Sequence, residues 1–171
     1  MSALFHTLYG YHAWANEELF EKLATCDPAH YQAELHTALR LLNHAFVVTR
    51  IFAAHLTHTV HGYAADNTEA TPSLAELRAA TVESDRWYLD YVARVSRKDL
   101  SEIISFTFTD GDEGRMSREE MLMHVALHSG FHRAEVDRIL WQLSITPPWD
   151  TMAVYLHQIG PARRVRHSAT A

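Results

Sequence analysis

The sequence contains one cysteine, Cys26, among 171 residues. This excludes an internal disulfide framework and fits a reducing compartment. Basic residues are outnumbered, with 15 Lys and Arg against 21 Asp and Glu and a formal net charge of -6, which argues against nucleic acid as a partner. No stretch approaches about 18 uninterrupted apolar residues, and no basic segment followed by an apolar run opens the chain. We therefore expect a soluble cytoplasmic protein that binds neither nucleic acid nor membranes.

The remaining composition is that of a compact domain. Hydrophobic residues make up 47% of the chain, which is enough to bury a substantial core. We expect one domain over residues 1–160. The only basic cluster contains Arg163, Arg164 and Arg166. It falls in residues 161–171, which we expect to form a disordered tail.

Apolar residues recur at helical spacing through most of the chain. They predict long helices over about 3–24, 29–59, 74–95 and 118–143, and a short fifth helix over about 151–158. Asp27-Pro28 is a start signal for the second helix, and Ser-x-x-Glu capping boxes at 73–76 and 117–120 start the third and fourth. Alternating residues over 103–109, followed by Asp110-Gly111, predict a small hairpin or extended loop before the fourth helix. The predicted fold is all-α, a four-helix bundle with a short C-terminal helix.

Three histidines are spaced four residues apart in the fourth predicted helix, at His124, His128 and His132. Residues four apart lie on one helical face, so His128 and His132 can turn their imidazole nitrogens to a common centre. A divalent ion that keeps a position open for water or substrate needs at least three protein ligands. The best third ligand is His44, which shares an apolar stripe of the second helix with residues 41, 48 and 51. The pattern predicts a metal site at His44, His128 and His132.

A histidine on an apolar face is usually a core residue that is satisfied by a hydrogen bond, and His44 alone would be read in this way. Two more histidines on a second inward stripe favour metal binding, because burying three imidazoles separately costs desolvation three times. His12 shares an inward stripe of the first helix and is a reserve candidate, as a fourth ligand or as a residue behind the ligands. His124 is rotated off the face between His128 and His132, so a hydrogen bond or a half-exposed position is expected for it.

Charged residues flank the last of the three histidines. Arg133 could neutralise a carboxylate at the pocket or anchor a partner helix, although a surface salt bridge is the commoner outcome. Glu135 follows His132 by three residues and Asp137 by five, so either carboxylate could orient a ligand from behind.

Three segments give the chain a resemblance to a known family. They are YHAWAN at 11–16, LNH at 42–44 with RIF at 50–52, and HVALHSGFHR at 124–133. In these segments the chain resembles the DinB/YfiT-like superfamily of bacterial four-helix-bundle metalloenzymes, from about residue 5 to residue 158. By position, the metal triad of that family falls on His44, His128 and His132. The chain departs from it at His12, where relatives often have asparagine, and at 134–135, where Ala-Glu replaces Gly-Gln.

The resemblance implies an enzyme. Characterised members of the superfamily include thiol-dependent transferases and isomerases, so the expected cofactors are a divalent ion (zinc or nickel first, then iron) and a low-molecular-weight thiol. Three neutral imidazoles leave the charge of the ion uncompensated, which deprotonates a bound water or thiol. We expect transfer to, or hydrolysis of, a small molecule. The alternative is a non-catalytic metal-binding or stress-linked bundle. Apolar and aromatic residues on several helices also predict a homodimer.

Overall fold

The computed structural model describes residues 3–163 and is mostly helical. Its elements in chain order are α1 Ala3–Ala24, α2 Gln32–Leu56, α3 Leu74–Arg94, α4 Arg97–Leu100, β1 Ile103–Thr107, β2 Glu113–Ser117, α5 Arg118–Gln142, α6 Met152–Ile159 and a 3₁₀ turn Pro161–Arg163. The four long helices α1, α2, α3 and α5 form the bundle, which confirms the predicted all-α fold. The last predicted segment, the basic tail, falls largely on residues 164–171, which lie outside the described residues.

The helix starts follow the capping chemistry of the sequence. Ser73 accepts a hydrogen bond from the backbone N–H of Glu76, and the Glu76 carboxylate accepts one from the backbone N–H of Ser73. The same reciprocal pair joins Ser117 to Glu120 at the start of α5. Two of the orphan N–H groups at each helix start are thereby satisfied. Both predicted capping boxes are confirmed.

The second helix is shorter than predicted at both ends. Its start is delayed because Asp27 closes a turn instead of capping the helix: its carbonyl oxygen accepts hydrogen bonds from the N–H groups of His30 and Tyr31. The helix then begins at Gln32. At the other end, His58 has φ 54°, a left-handed conformation that stops the helix after Leu56.

The predicted hairpin is present. Strands β1 and β2 pair antiparallel, with Ile104 opposite Met116 and Phe106 opposite Gly114. Gly114 permits this pairing, since a Cβ there would lie 2.6 Å from the Phe106 ring. The turn contains Gly111 at φ 98°, as the Asp-Gly signal predicts. The hairpin and the short helix α4 connect α3 to α5. Helix α4 was not among the predicted helices, although a capping box of Ser96 and Asp99 forms its start.

The core consists of two apolar clusters with a polar layer between them. The first, toward the hairpin, includes Tyr9, Tyr88 and Leu122; the second, at the other end of the bundle, includes Leu23 and Leu140. The buried polar residues in the middle are His12, Asn43, Thr49, Ser84, Asp85, Ser129 and Arg133. Among the described helices, none is both long and apolar enough to cross a membrane.

Candidate metal centre

The predicted triad is brought together between α2 and α5. His44 lies in the middle of α2, and His128 and His132 lie on successive turns of α5. The two helices are antiparallel neighbours, because Phe52, two turns after His44, meets His124, one turn before His128. This packing turns all three imidazole rings to one point on the seam between the helices.

The imidazole rings of the three histidines approach one another through their Nε2 atoms. His128 Nε2 is 3.2 Å from His44 Nε2 and 3.1 Å from His132 Nε2. One ligand atom from each of the three residues lies within 4.8 Å of the others, and this is the group of histidine, cysteine and acidic residues within residues 3–163 that could hold an ion. The three rings are half-buried, and the side chains of His44 and His132 remain 22% and 12% exposed.

Hydrogen bonds on the outer side of two rings fix their tautomers. His44 Nδ1 donates to the Asp66 carbonyl oxygen at 2.8 Å, and His132 Nδ1 donates to Glu135 Oε2 at 2.7 Å. A carbonyl or carboxylate oxygen can only accept, so the proton of each neutral ring is on Nδ1 and the lone pair is on Nε2. The Nε2 lone pairs of His44 and His132 therefore point inward.

This arrangement fits a divalent ion. Around a tetrahedral ion with bonds of 2.0–2.1 Å, ligand nitrogens lie about 3.3 Å apart, close to the separations of Nε2 atoms in the triad. Without a cation, converging lone pairs repel one another. Burial and the neighbouring His132 and His44 lower the pKa of His128 to about 3, so His128 is neutral at pH 7, as a metal ligand must be. Three neutral imidazoles suit zinc, nickel or iron.

His124 lies beside the triad and outside it. Its ring stacks on that of His128 with centroids 5.3 Å apart, and it contacts the Phe52 ring in a tilted arrangement with centroids 4.6 Å apart. The residue is half-buried, and burial lowers its pKa. The half-exposed position expected from the sequence is therefore observed, next to a predicted ligand.

His12 is not brought into the triad. It is 1% exposed, and its Nε2 lies 3.1 Å from Asp85 Oδ1 on α3. Asn16 Nδ2 donates to the same carboxylate at 2.9 Å. The structure does not bring His12, the reserve fourth ligand, to the triad: its ligand atoms are not among those that converge there, and its Nε2 is engaged by the carboxylate of Asp85.

Arg133 is fully buried, which corrects the expected surface salt bridge. Its exposed fraction is 2%, its Nε donates to Asp150 Oδ2 at 3.1 Å and its Nη1 donates to Asn16 Oδ1 at 2.9 Å. The guanidinium carbon lies 5.7 Å from the centre of the Tyr11 ring. Arg133 thus joins α1, α5 and the segment before α6.

Sequence reasoning missed Asp85, Asn16 and Asp150 as partners in this layer. A signal existed for Asp85, which is on the same helical stripe as Tyr88 and Val92, both fully buried. A carboxylate on such a stripe requires a buried partner. Asp150 lies one residue before Thr151, which accepts the capping hydrogen bond of α6, and no local pattern marks Asp150 as a partner of Arg133.

Glu135 should strengthen metal binding through His132. Glu135→Ala is expected to lower the affinity for zinc about 10- to 100-fold, because the ring loses the acceptor that fixes its tautomer. Glu135→Gln should lose less, since its amide oxygen can still accept from Nδ1. Competition with a chromogenic chelator measures this, with Glu119→Ala on the same helix as the control. Equal affinities for Glu135→Ala and Glu119→Ala would contradict it.

Asp137 should oppose stability at neutral pH. Burial, and then the nearby Asp150 carboxylate, raise its pKa to about 6 from 3.8, whereas Arg133 lowers it. The Asp137 carboxyl ionises at a lower pH in the unfolded chain than in the folded one. The resulting loss of folding stability is therefore absent below about pH 4, grows as the pH rises to 6 and is complete above pH 6.

We therefore expect Asp137→Asn to stabilise the protein by about 1 kcal/mol at pH 7.5, a value reduced for partial solvent screening. This corresponds to a rise in Tm of about 2–4 °C. Thermal unfolding at pH 7.5 and pH 4 tests the prediction. A gain of the same size at both pH values would contradict it.

Comparison with known proteins gives one family. The family model described as DinB family matches residues 1–164. No curated protein matches the chain, and neither does any solved structure.

Proposed function

The chain belongs to the DinB family, and from this premise we propose that it is a metal-dependent enzyme that activates a thiol or a water for reaction with a small molecule. His44, His128 and His132 would hold the ion. The match to the family covers the whole bundle, including both helices that carry the triad. The resemblance at 42–44 and 124–133 places the triad of the family on the same three residues whose ligand atoms the geometry brings together.

One observation carries the proposal: three Nε2 atoms from two helices converge, with those of His44 and His132 lying 3.2 and 3.1 Å from that of His128. The hydrogen bonds to the Asp66 carbonyl and to Glu135 hold two of the rings in the tautomer that a ligand needs. Packing alone does not explain this convergence: a proton on His128 Nε2 can serve only one of the two acceptor nitrogens fully, so the other lacks a donor.

The residues around the triad favour a reactive site over a closed one. An ion held by three neutral imidazoles supplies a Lewis acid that favours the deprotonated form of a bound water or thiol. The described chain offers three ligands, one fewer than structural zinc sites usually have, and His12 is engaged elsewhere. The 22% exposure of the His44 side chain allows a small molecule to approach from the α2–α5 seam.

The identity of the ion and of the thiol belongs to the proposal. Imidazole ligands fit zinc and nickel first and iron next. The use of a low-molecular-weight thiol is inferred from the resemblance to thiol-dependent members of the superfamily. If such a thiol is used, its sulfur forms the new bond to an electrophilic carbon, and the leaving group departs from that carbon.

The open coordination position can be tested directly. Protein loaded with Co²⁺ should show a shift of its visible absorption when 2-mercaptoethanol is added, because a thiolate can enter the open position. The protein should then accelerate the reaction of that thiol with 1-chloro-2,4-dinitrobenzene, and His128→Ala should abolish both effects. An unchanged cobalt spectrum would favour the alternative, a non-catalytic metal-binding or stress-linked bundle.

We also infer that the chain forms a homodimer through α5. This helix leaves Leu127, Phe131 and Trp141 exposed by 65%, 63% and 59%, on one side of the helix beside the triad. Exposed apolar stripes of this kind commonly mark association surfaces. Light scattering at micromolar concentration should give twice the chain mass of 19.5 kDa. A monomer mass would contradict the inference, and Leu127→Glu should convert the dimer to a monomer.

A further inference from the structure

Aromatic rings extend from the triad along the seam between α2 and α5. The first is His124, stacked on His128 at 5.3 Å between centroids, and the next is Phe52, at 4.6 Å from His124. His55 follows at 5.8 Å from Phe52. Every ring after His128 contacts the one before it, so the series is continuous with the candidate metal centre.

The series then reaches the hairpin and the loop after α2. His55 lies 4.7 Å from Phe106 on β1 and 5.6 Å from His61, which is 6.2 Å from Tyr63. Phe106 contacts a further ring at 4.9 Å. We call this set the ring seam, and its members are Phe52, His55, His61, Tyr63, Phe106, Phe108 and His124.

The burial of the ring seam differs from that of a core. Phe52 and Phe106 are buried and form its floor. The other members remain in contact with solvent: Phe108 is 46% exposed, and His55, His61, Tyr63 and His124 are half-buried. Five of the seven rings therefore keep part of their surface in contact with solvent.

The chemistry of the ring seam selects for a neutral, flat partner. Burial, and then the neighbouring His61, lower the pKa of His55, so that this ring is uncharged at neutral pH. Aromatic rings contact one another by offset stacking or edge-to-face packing, with centroids about 4.5–7 Å apart, the range found within the ring seam.

The dimensions suit a small molecule that touches the ion and the rings together. At about 1.5 Å per residue, His124 lies about 6 Å along α5 from His128, and His55 lies about 16 Å along α2 from His44. A compound whose reacting group is at the triad therefore places its nearest ring beside His124. A second ring or a longer substituent would lie beside His55.

We propose that the ring seam is the substrate-binding wall of the metal centre and that it binds a neutral compound with an aromatic ring. This rests on the proposed function for the reacting group at the triad. The ring contacts are independent of the metal.

Two thiols that differ only in the ring test the proposal, phenylmethanethiol and cyclohexylmethanethiol. Zinc-loaded protein should bind the phenyl compound about three- to tenfold more tightly by calorimetric titration, although the cyclohexyl compound is the more hydrophobic. His124→Leu should bring the two affinities together. Trp149→Leu is the control, since it removes an exposed ring that belongs to neither the ring seam nor the proposed dimer face, and it should keep the preference.

If the protein binds zinc but shows no preference for the phenyl compound, the proposed aromatic substrate class is wrong, whereas the proposed metal site is not contradicted. Protein that binds no zinc would overturn the proposed function, and the ring seam is then tested by itself. In metal-free His44→Ala protein, saturation-transfer NMR should still show contact with the ring protons of phenylmethanethiol, and adding His124→Leu should weaken it. The absence of contact there would also overturn the proposal.

Discussion

Replacing His128 by alanine is expected to lower zinc affinity more than a hundredfold. His128 is the central member of the triad, because its Nε2 is within 3.2 Å of the Nε2 atoms of both His44 and His132. Structural zinc sites with four ligands bind with about 10–16 kcal/mol, so one ligand contributes about 3 kcal/mol, which is more than two powers of ten in affinity. Titration of zinc against a chromogenic chelator measures the loss.

His124→Ala is the control for this prediction. It removes an imidazole one helical turn away that stacks on His128 without sharing the centre. We expect it to change affinity by less than about tenfold, through looser packing of the His128 ring. Circular dichroism should show both variants folded. Losses of equal size in His128→Ala and His124→Ala would mean that the wrong face of α5 has been assigned to the ion.

Replacing Arg133 by methionine is expected to destabilise the fold by about 3–5 kcal/mol. The guanidinium is 2% exposed and donates to Asp150 and to Asn16. Methionine fills much of the volume but leaves the Asp150 carboxylate, itself largely buried, without its cation. For a chain of this size the expected fall in Tm is about 10 °C. Thermal unfolding of the metal-free protein isolates this effect from metal binding.

Arg78 provides a matched comparison. It forms a salt bridge with Glu17, but its side chain is 36% exposed and that of Glu17 is 39% exposed. Arg78→Met should lower the Tm much less than Arg133→Met, because water screens the ion pair and solvates Glu17 when it is left without its partner. Similar Tm values for Arg133→Met and Arg78→Met would show that the hydrogen bonds of Arg133 in the buried polar layer do not stabilise the fold more than an exposed salt bridge does.

Signals local to a few residues made much of the fold and of the candidate site predictable. Capping boxes depend on residues three apart, and the sequence located those at Ser73 and Ser117 correctly. The four-residue spacing of His128 and His132 needs only helical geometry. His44 was found because its neighbours Val48 and Ile51 show which face of α2 is inward. Each of these inferences uses contacts within one helix.

Contacts between distant segments were not predictable in this way. Arg133 pairs with Asn16 and Asp150, which lie 117 and 17 residues away in the chain. Nothing in the local pattern distinguishes an arginine with such partners from a surface arginine. The contacts within the ring seam likewise depend on the positions that the hairpin and the loop after α2 take in the folded protein. His61, for example, lies in a loop after α2, and no local pattern predicts that its ring packs against His55.

The central claim is that His44, His128 and His132 bind one divalent ion, and metal content per chain measures it most directly. Elemental mass spectrometry on untagged protein should give about one ion per chain for the wild type and almost none for His44→Ala. Reconstitution with zinc or nickel should restore the wild type only. A wild-type protein that holds no metal even after reconstitution, or a His44→Ala protein that holds as much as the wild type, would contradict the claim.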